Sequence, residues 1–231
     1  MTVLQQEIGE RFELLSAKIL AARALSPDSH RNVRLVAVSK RQPLERVKAL
    51  FSSLGYKSAN LVLGENYVQE WSEKRGDLPT PREVHLIGPL QSNKARDAVA
   101  LFDVIESVHS EKILSAIAKE AGRIGSVKRI FLQVNISEDP AKAGFAPEGM
   151  KAILEKAKTL TGVKVEGLMT ITKDYLQAEE ARPDFRALRV LRDSLDPMLE
   201  LSMGMSSDFE VAIQEGATLV RIGSALFGSR E

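Results

Sequence analysis

Lys40 closes the run Val36-Ala37-Val38-Ser39-Lys40. Side chains alternate along a strand, so a lysine in step with Val36 and Val38 shares their face. Held against apolar walls, such an amine loses proton affinity and becomes a nucleophile for aldehydes. A solvated lysine in a loop is the plainer alternative. Arg221 is flanked by Val220 and Ile222. A guanidinium does not deprotonate, so a buried one needs acceptors: a carboxylate on another strand, or the ring nitrogen of a ligand. Ser206, Gly223 and Ser224 lie in two Gly/Ser-bearing segments, Ser202-Met203-Gly204-Met205-Ser206-Ser207-Asp208 and Val220-Arg221-Ile222-Gly223-Ser224-Ala225. Where such segments open helices, hydroxyls and amides donate to phosphate oxygens, although ordinary N-capping by Ser207 and Ser224 uses the same residue types. His85 sits inside an apolar run, either as a satisfied core histidine or beside a ligand ring. Asn66 and Asn93 stand at boundaries where helix capping is a common role.

These residues need a scaffold. The 231 residues carry 32 basic and 31 acidic side chains, so no broad field draws the chain to nucleic acid or an anionic membrane. The absence of cysteine removes disulfides, thiolate metal sites and a cysteine nucleophile. His30, His85 and His109 are far apart in sequence, and no histidine metal site is expected. The apolar runs are strand length, too short for a membrane span, and the N-terminus is too polar for a signal peptide. A cytoplasmic address is the expectation.

The spacing of Leu4, Ile8, Phe12, Leu15, Ile19 and Ala22 predicts an amphipathic helix over residues 2–24. Eight short apolar runs then alternate with helical patterns. The strand candidates are 33–39, 61–64, 84–88, 104–108, 129–135, 163–169, 200–204 and 218–223. From Val33 to Phe227 there are 195 residues, roughly 24 per βα unit, enough for a (β/α)8 TIM barrel. Consecutive apolar residues such as Ile130-Phe131-Leu132 suit parallel strands covered on both faces. An open doubly wound sheet shares that periodicity. No linker or low-complexity stretch divides the chain, so one α/β domain over 1–231 is expected, with an extra N-terminal helix.

Several segments carry a resemblance: Ala37-Val38-Ser39-Lys40, Gly64-Glu65-Asn66-Tyr67-Val68-Gln69-Glu70, His85 through Lys94, Gly167-Leu168-Met169-Thr170-Ile171, and Leu201 through Gly223. Together they closely resemble the pyridoxal 5′-phosphate homeostasis protein family, the single-barrel relatives of alanine racemase. The resemblance implies a fold-type III barrel binding pyridoxal 5′-phosphate (PLP) as a covalent aldimine on Lys40. It implies that Arg221 faces the pyridine nitrogen and that Ser206, Gly223 and Ser224 cradle the phosphate. Asn66 and His85 fall in motifs that line the ring. Val84, Leu63 and Leu86 stand where the family usually has aromatic residues, which bears on local packing more than on the cofactor.

Two roles compete. One is a non-catalytic carrier that buffers PLP, with PLP-dependent apoenzymes as possible recipients. The other is an amino-acid racemase of the alanine racemase type. An arginine donates to the ring nitrogen without protonating it, which weakens the electron sink. A two-base racemase also needs a second proton-transfer group opposite the lysine. In the resembling racemases that group is a tyrosine from an additional β-domain, which the sequence to Glu231 is not expected to supply. Of Tyr56, Tyr67 and Tyr175, only Tyr67 lies in a relevant motif. A lysine-dependent aldolase fits the same phosphate loops, but its lysine usually follows a later strand. The carrier is the favoured reading, expected as a monomer.

Overall fold

The structure is a computed structural model and describes residues 1–55 and 61–228; Tyr56 lies outside the described residues. Eight parallel strands close into a barrel in chain order. They are β1 (Arg34–Val38), β2 (Val62–Glu65), β3 (Glu83–Leu86), β4 (Val104–Val108), β5 (Lys128–Gln133), β6 (Val163–Met169), β7 (Glu200–Ser202) and β8 (Leu219–Ile222). Closure pairs β8 with β1, Arg221 beside Val36 and Ile222 beside Ala37. The helices are α1 (Val3–Ala24), α2 (Leu44–Leu54), α3 (Val68–Lys74), α4 (Ala95–Leu101), α5 (Glu111–Arg123), α6 (Met150–Lys158), α7 (Arg182–Leu195), α8 (Phe209–Gln214) and α9 (Ser224–Phe227). The barrel and the N-terminal helix expected from periodicity are both present, and the open sheet is not.

Thr2 starts α1 with a reciprocal capping box: its hydroxyl accepts from the Gln5 amide and the Gln5 side chain accepts from the Thr2 amide. The helix buries Ile8, Leu15, Ile19 and Ala22 against α2, α8 and α9. Because α9 is a single turn, it cannot cover the β8–β1 seam alone, and the 22 residues of α1 extend that cover.

Strand alternation sorts the apolar residues into two compartments. Val36, Val62, Val104, Phe131, Met169 and Leu219 fill the barrel interior. Their neighbours Ala37, Leu63, Ile105, Leu132, Leu168 and Val220 belong to the larger core shared with the helices. Val84, Leu63 and Leu86 are in that outer core too, so the departures from the family pattern affect the packing between barrel and helices.

Charged and polar side chains share the barrel interior with the apolar set. At the N-terminal end of the barrel, Arg34 pairs with Glu83 at 3.2 Å and Glu200 at 2.5 Å. Arg129 pairs with Glu83 at 3.1 Å and Glu166 at 2.7 Å. The hydrogen bond from His85, helped by Arg129, holds the Glu83 carboxyl down at about 2. A depressed carboxylate stabilises the fold above its ordinary pKa, and that stabilisation is lost as pH falls toward the native value. Urea unfolding should therefore show stability dropping more steeply between pH 4.5 and about 2 in the wild type than in Glu83→Gln. Equal slopes would contradict this role for the ion-paired floor.

Candidate functional site

A cavity of about 310 Å³ opens at the C-terminal ends of the strands, where the chemistry of this fold is placed. Val38, Ile87 and Ile171 supply apolar wall, while Lys40, Asn66, Met205, Ser206, Ser207, Arg221, Gly223 and Ser224 complete it. Six of the seven residues singled out from sequence therefore meet at one cavity; His85 does not line it. Ile87, Ile171 and Met205 were not anticipated as lining residues. The first of these follows β3 by one residue and shares the inward face of His85. A groove of about 520 Å³ between α1 and α8 shares Ser206 and Ser207 with the cavity rim.

The position of Lys40 follows from its strand. Val36 lies in the barrel interior, and Val38 and Lys40 continue the same face into the cavity. The main chain around Lys40 is held from both sides. Ser39 Oγ donates to Glu65 Oε1 at 2.5 Å, and Lys74 Nζ donates to the Ser39 carbonyl at 2.9 Å. Lys74 also meets Glu65 at 2.6 Å and Glu70 at 3.0 Å. The Arg41 amide donates to Glu70 at 2.6 Å. Arg41 has φ of +54°, a left-handed turn disfavoured for a residue with a Cβ. That turn takes the backbone away immediately after Lys40. Burial pushes the Glu65 carboxyl pKa up, against the pull of Lys74.

Asn66 is not a helix cap, since Tyr67 occupies that position for α3. Its Oδ1 is buried without a hydrogen-bond partner, an unsatisfied amide group in the cavity wall. Asn93 lies inside a 3-10 turn, Ser92–Lys94, and does not cap α4 either. Asn66 is pressed by Gly88, where an added Cβ would stand 2.3 Å from the Asn66 carbonyl oxygen.

The β7 and β8 loops meet through Ser206, whose Oγ accepts from the amides of Gly223 and Ala225, both at 3.3 Å. Gly204 takes a φ of +91° and its carbonyl accepts from the Arg221 amide at 3.0 Å. Ser207 and Ser224, which could have been N-caps, are not: Asp208 and Gly223 occupy those positions. Both serines are exposed at the rim. The hydroxyls of Ser206, Ser207 and Ser224 thus line the cavity together, a donor set suited to an anion, while the Gly223 and Ala225 amides are engaged by Ser206.

Arg221 is buried and bonded to groups of β7 and of the residue after β6. Nη1 donates to Ser202 Oγ at 2.8 Å and Nη2 to the Thr170 carbonyl at 2.7 Å. Of the two sequence alternatives, a carboxylate on another strand is not its direct partner among the described residues. The nearest compensation is Glu106, reached through Ser202, whose Oγ is 2.5 Å from Glu106 Oε2. Burial pushes the guanidinium pKa down while Glu106 and Asp208 oppose that.

His85 takes the first of its two sequence readings, that of a satisfied core histidine. It is fully buried, with Nδ1 2.5 Å from Glu106 and Nε2 3.0 Å from Glu83. Both ring nitrogens are spent inside the barrel, one layer below the cavity. Burial alone would lower the imidazole pKa, but the bonds to Glu106 and Glu83 outweigh it and raise it. Among the described residues, no group of three or more His, Cys, Asp or Glu could hold a metal ion.

A closed parallel barrel carrying a lysine beyond β1, a buried arginine on β8 and an anion corner between the last two loops defines a class of small-molecule-binding barrels. The chain belongs to the pyridoxal phosphate homeostasis proteins, and the family model described as alanine racemase, N-terminal domain, matches residues 17–231. A pyridoxal phosphate homeostasis protein of Aquifex aeolicus is 41% identical over 204 residues, 86% of this chain and 87% of that protein. One of Pseudomonas aeruginosa is 37% identical over 226 residues, 97% and 96% of the two chains. The solved structure of PipY from Synechococcus elongatus PCC7942 with PLP bound matches with a TM-score of 0.78 and 37% identity, covering 96% of this chain and 100% of that one. Alanine racemase of Clostridium difficile 630 matches with a TM-score of 0.67 at 18% identity, covering 86% of this chain and 53% of that one. This last likeness shows the fold alone.

Gly88→Ala tests the contact that seats Asn66. Backbone must shift to admit the methyl group, so the variant should lose about 1–3 kcal/mol of stability in urea unfolding. Unchanged stability would show that the Asn66 segment yields without cost.

Proposed function

We propose that this chain binds PLP reversibly at the barrel mouth and acts as a non-catalytic carrier or buffer in vitamin B6 homeostasis. The observation that carries this reading is the convergence of Lys40, Arg221 and the Ser206–Gly223–Ser224 corner on one cavity of about 310 Å³, within the size range of small-molecule sites. The PLP-bound PipY structure and the names of the curated relatives support it. When bound, PLP supplies an aldehyde for a reversible Schiff base with the Lys40 amine. Ser206, Gly223 and Ser224 would hold the phosphate and Arg221 would donate to the ring nitrogen. The unpartnered Asn66 Oδ1 offers an acceptor beside the ring.

Two features of the site favour a carrier over a racemase. Among the described residues lining the cavity, Lys40 and Arg221 are the ionisable ones, and arginine cannot trade protons near neutral pH. Neither described tyrosine reaches the site. Tyr67 lies in the neighbouring groove beneath Arg41. Tyr175 donates to Asp184, and burial together with that bond pushes its phenol up to about 12. No described helix is long and apolar enough to cross a membrane. We further propose a cytoplasmic monomer with a single cofactor-binding domain over residues 1–231, able to pass PLP to apoenzymes.

The test is absorption spectroscopy with PLP before and after borohydride, then peptide mass analysis. The expected result is a long-wavelength band that reduction bleaches, leaving a pyridoxyl adduct on Lys40. Lys40→Ala should lose the band yet keep phosphate-dependent affinity, and the wild type should not interconvert alanine enantiomers. No band with excess PLP would overturn cofactor binding, and enantiomer turnover would overturn the carrier.

A further inference from the structure

His85, Glu106 and Ser202 are buried polar groups that do not line the cavity, yet they lie in one continuous chain below it. The direction of each hydrogen bond follows from donor chemistry. Arginine only donates, so Ser202 Oγ accepts from Arg221 Nη1 at 2.8 Å. The single Ser202 proton is then directed to Glu106 Oε2, 2.5 Å away. The other Glu106 oxygen faces His85 Nδ1 at 2.5 Å, and His85 Nε2 faces Glu83 at 3.0 Å. Glu83 ends the chain on Arg34 and Arg129 at the barrel floor. Burial alone would raise the Glu106 carboxyl, but the bond to His85 and the charges of His85 and Arg221 outweigh it and hold it low.

Ser202 is the informative member. A carboxylate in its place would grip the guanidinium with two parallel bonds. A hydroxyl takes one N–H and passes the negative charge of Glu106 upward at one remove. With the Thr170 carbonyl taking a second, two of the five guanidinium N–H groups are used and the arginine remains fixed against the cavity wall.

We infer that Ser202, Glu106 and His85 form a positioning chain that orients the Arg221 guanidinium toward the mouth cavity and so sets how tightly a bound cofactor is held. The functional half of this inference rests on the PLP reading above; the positioning half does not. Nitrogen-15 NMR of the arginine side chains in the PLP-free protein reads the positioning directly, with Arg221 assigned from its missing signal in Arg221→Lys. Wild-type Arg221 N–H signals should be sharp and slow to exchange. Ser202→Ala should accelerate their exchange, and the dissociation of PLP, each on the order of tenfold. Ser202→Thr keeps the hydroxyl and should restore both. Should Ser202→Ala fail to fold, Glu106→Gln keeps the shape, removes the charge, and is expected to loosen Arg221 in the same assay. Unchanged Arg221 exchange in the folded variant would overturn the inference, even if PLP affinity fell. Faster Arg221 exchange in Ser202→Ala, alongside a wild-type protein that takes up no PLP, would uphold the positioning and sink the cofactor reading alone.

Discussion

Placing a guanidinium inside a closed barrel is the constraint on which the rest of this structure depends. Arg221 cannot shed its charge, and an uncompensated buried cation is costly. The interior answers with a column of opposite and alternating charge rather than one direct ion pair. Ser202 and Thr170 take the N–H groups, Glu106 supplies the charge, and His85 links Glu106 to Glu83 and the arginines of the floor. The barrel lumen therefore holds this polar column beside six buried apolar side chains. Closure of β8 against β1 then brings the head of that column beside the face that carries Lys40.

The two functional side chains are held by different means. Arg221 is fixed from below by the interior column. Lys40 projects from a loop beyond its strand, and that loop is fixed from outside by α3, through Lys74 on the Ser39 carbonyl and Glu70 on the Arg41 amide. The backbone on both sides of Lys40 is thereby held in place at the rim of the cavity. The anion corner is built differently again, from two short loops tied through one serine hydroxyl.

Much of this was legible in the residues. Period-two alternation carried Val36 and Val38 through to Lys40, and each expected strand is present within a few residues of its sequence bounds. Asn66, Ser206, Gly223 and Ser224 were placed by motifs that lie at strand ends. His85 stayed open between core and ligand because Glu106 is distant in sequence, although Glu83, two residues earlier on the same face, was a signal for a paired imidazole. Glu106 and Ser202 each interrupt an apolar strand, and such interruptions mark inward polar groups as plainly as Arg221 did. The Glu70 and Lys74 pair, four apart on α3, announced a helical ion pair but not that it would clamp the Lys40 loop. That contact depends on how α3 packs against the end of β1, which no local pattern encodes.

A crystal structure of the chain grown with PLP tests the account most directly, because it reads the ring, the lysine and the interior column together. The account predicts the cofactor joined to Lys40, its ring nitrogen within hydrogen-bond distance of Arg221, its phosphate on the Ser206–Gly223–Ser224 corner, and His85 still bonded to Glu106 and Glu83. A ring lodged elsewhere, or His85 turned up to meet it with Arg221 released, would contradict it.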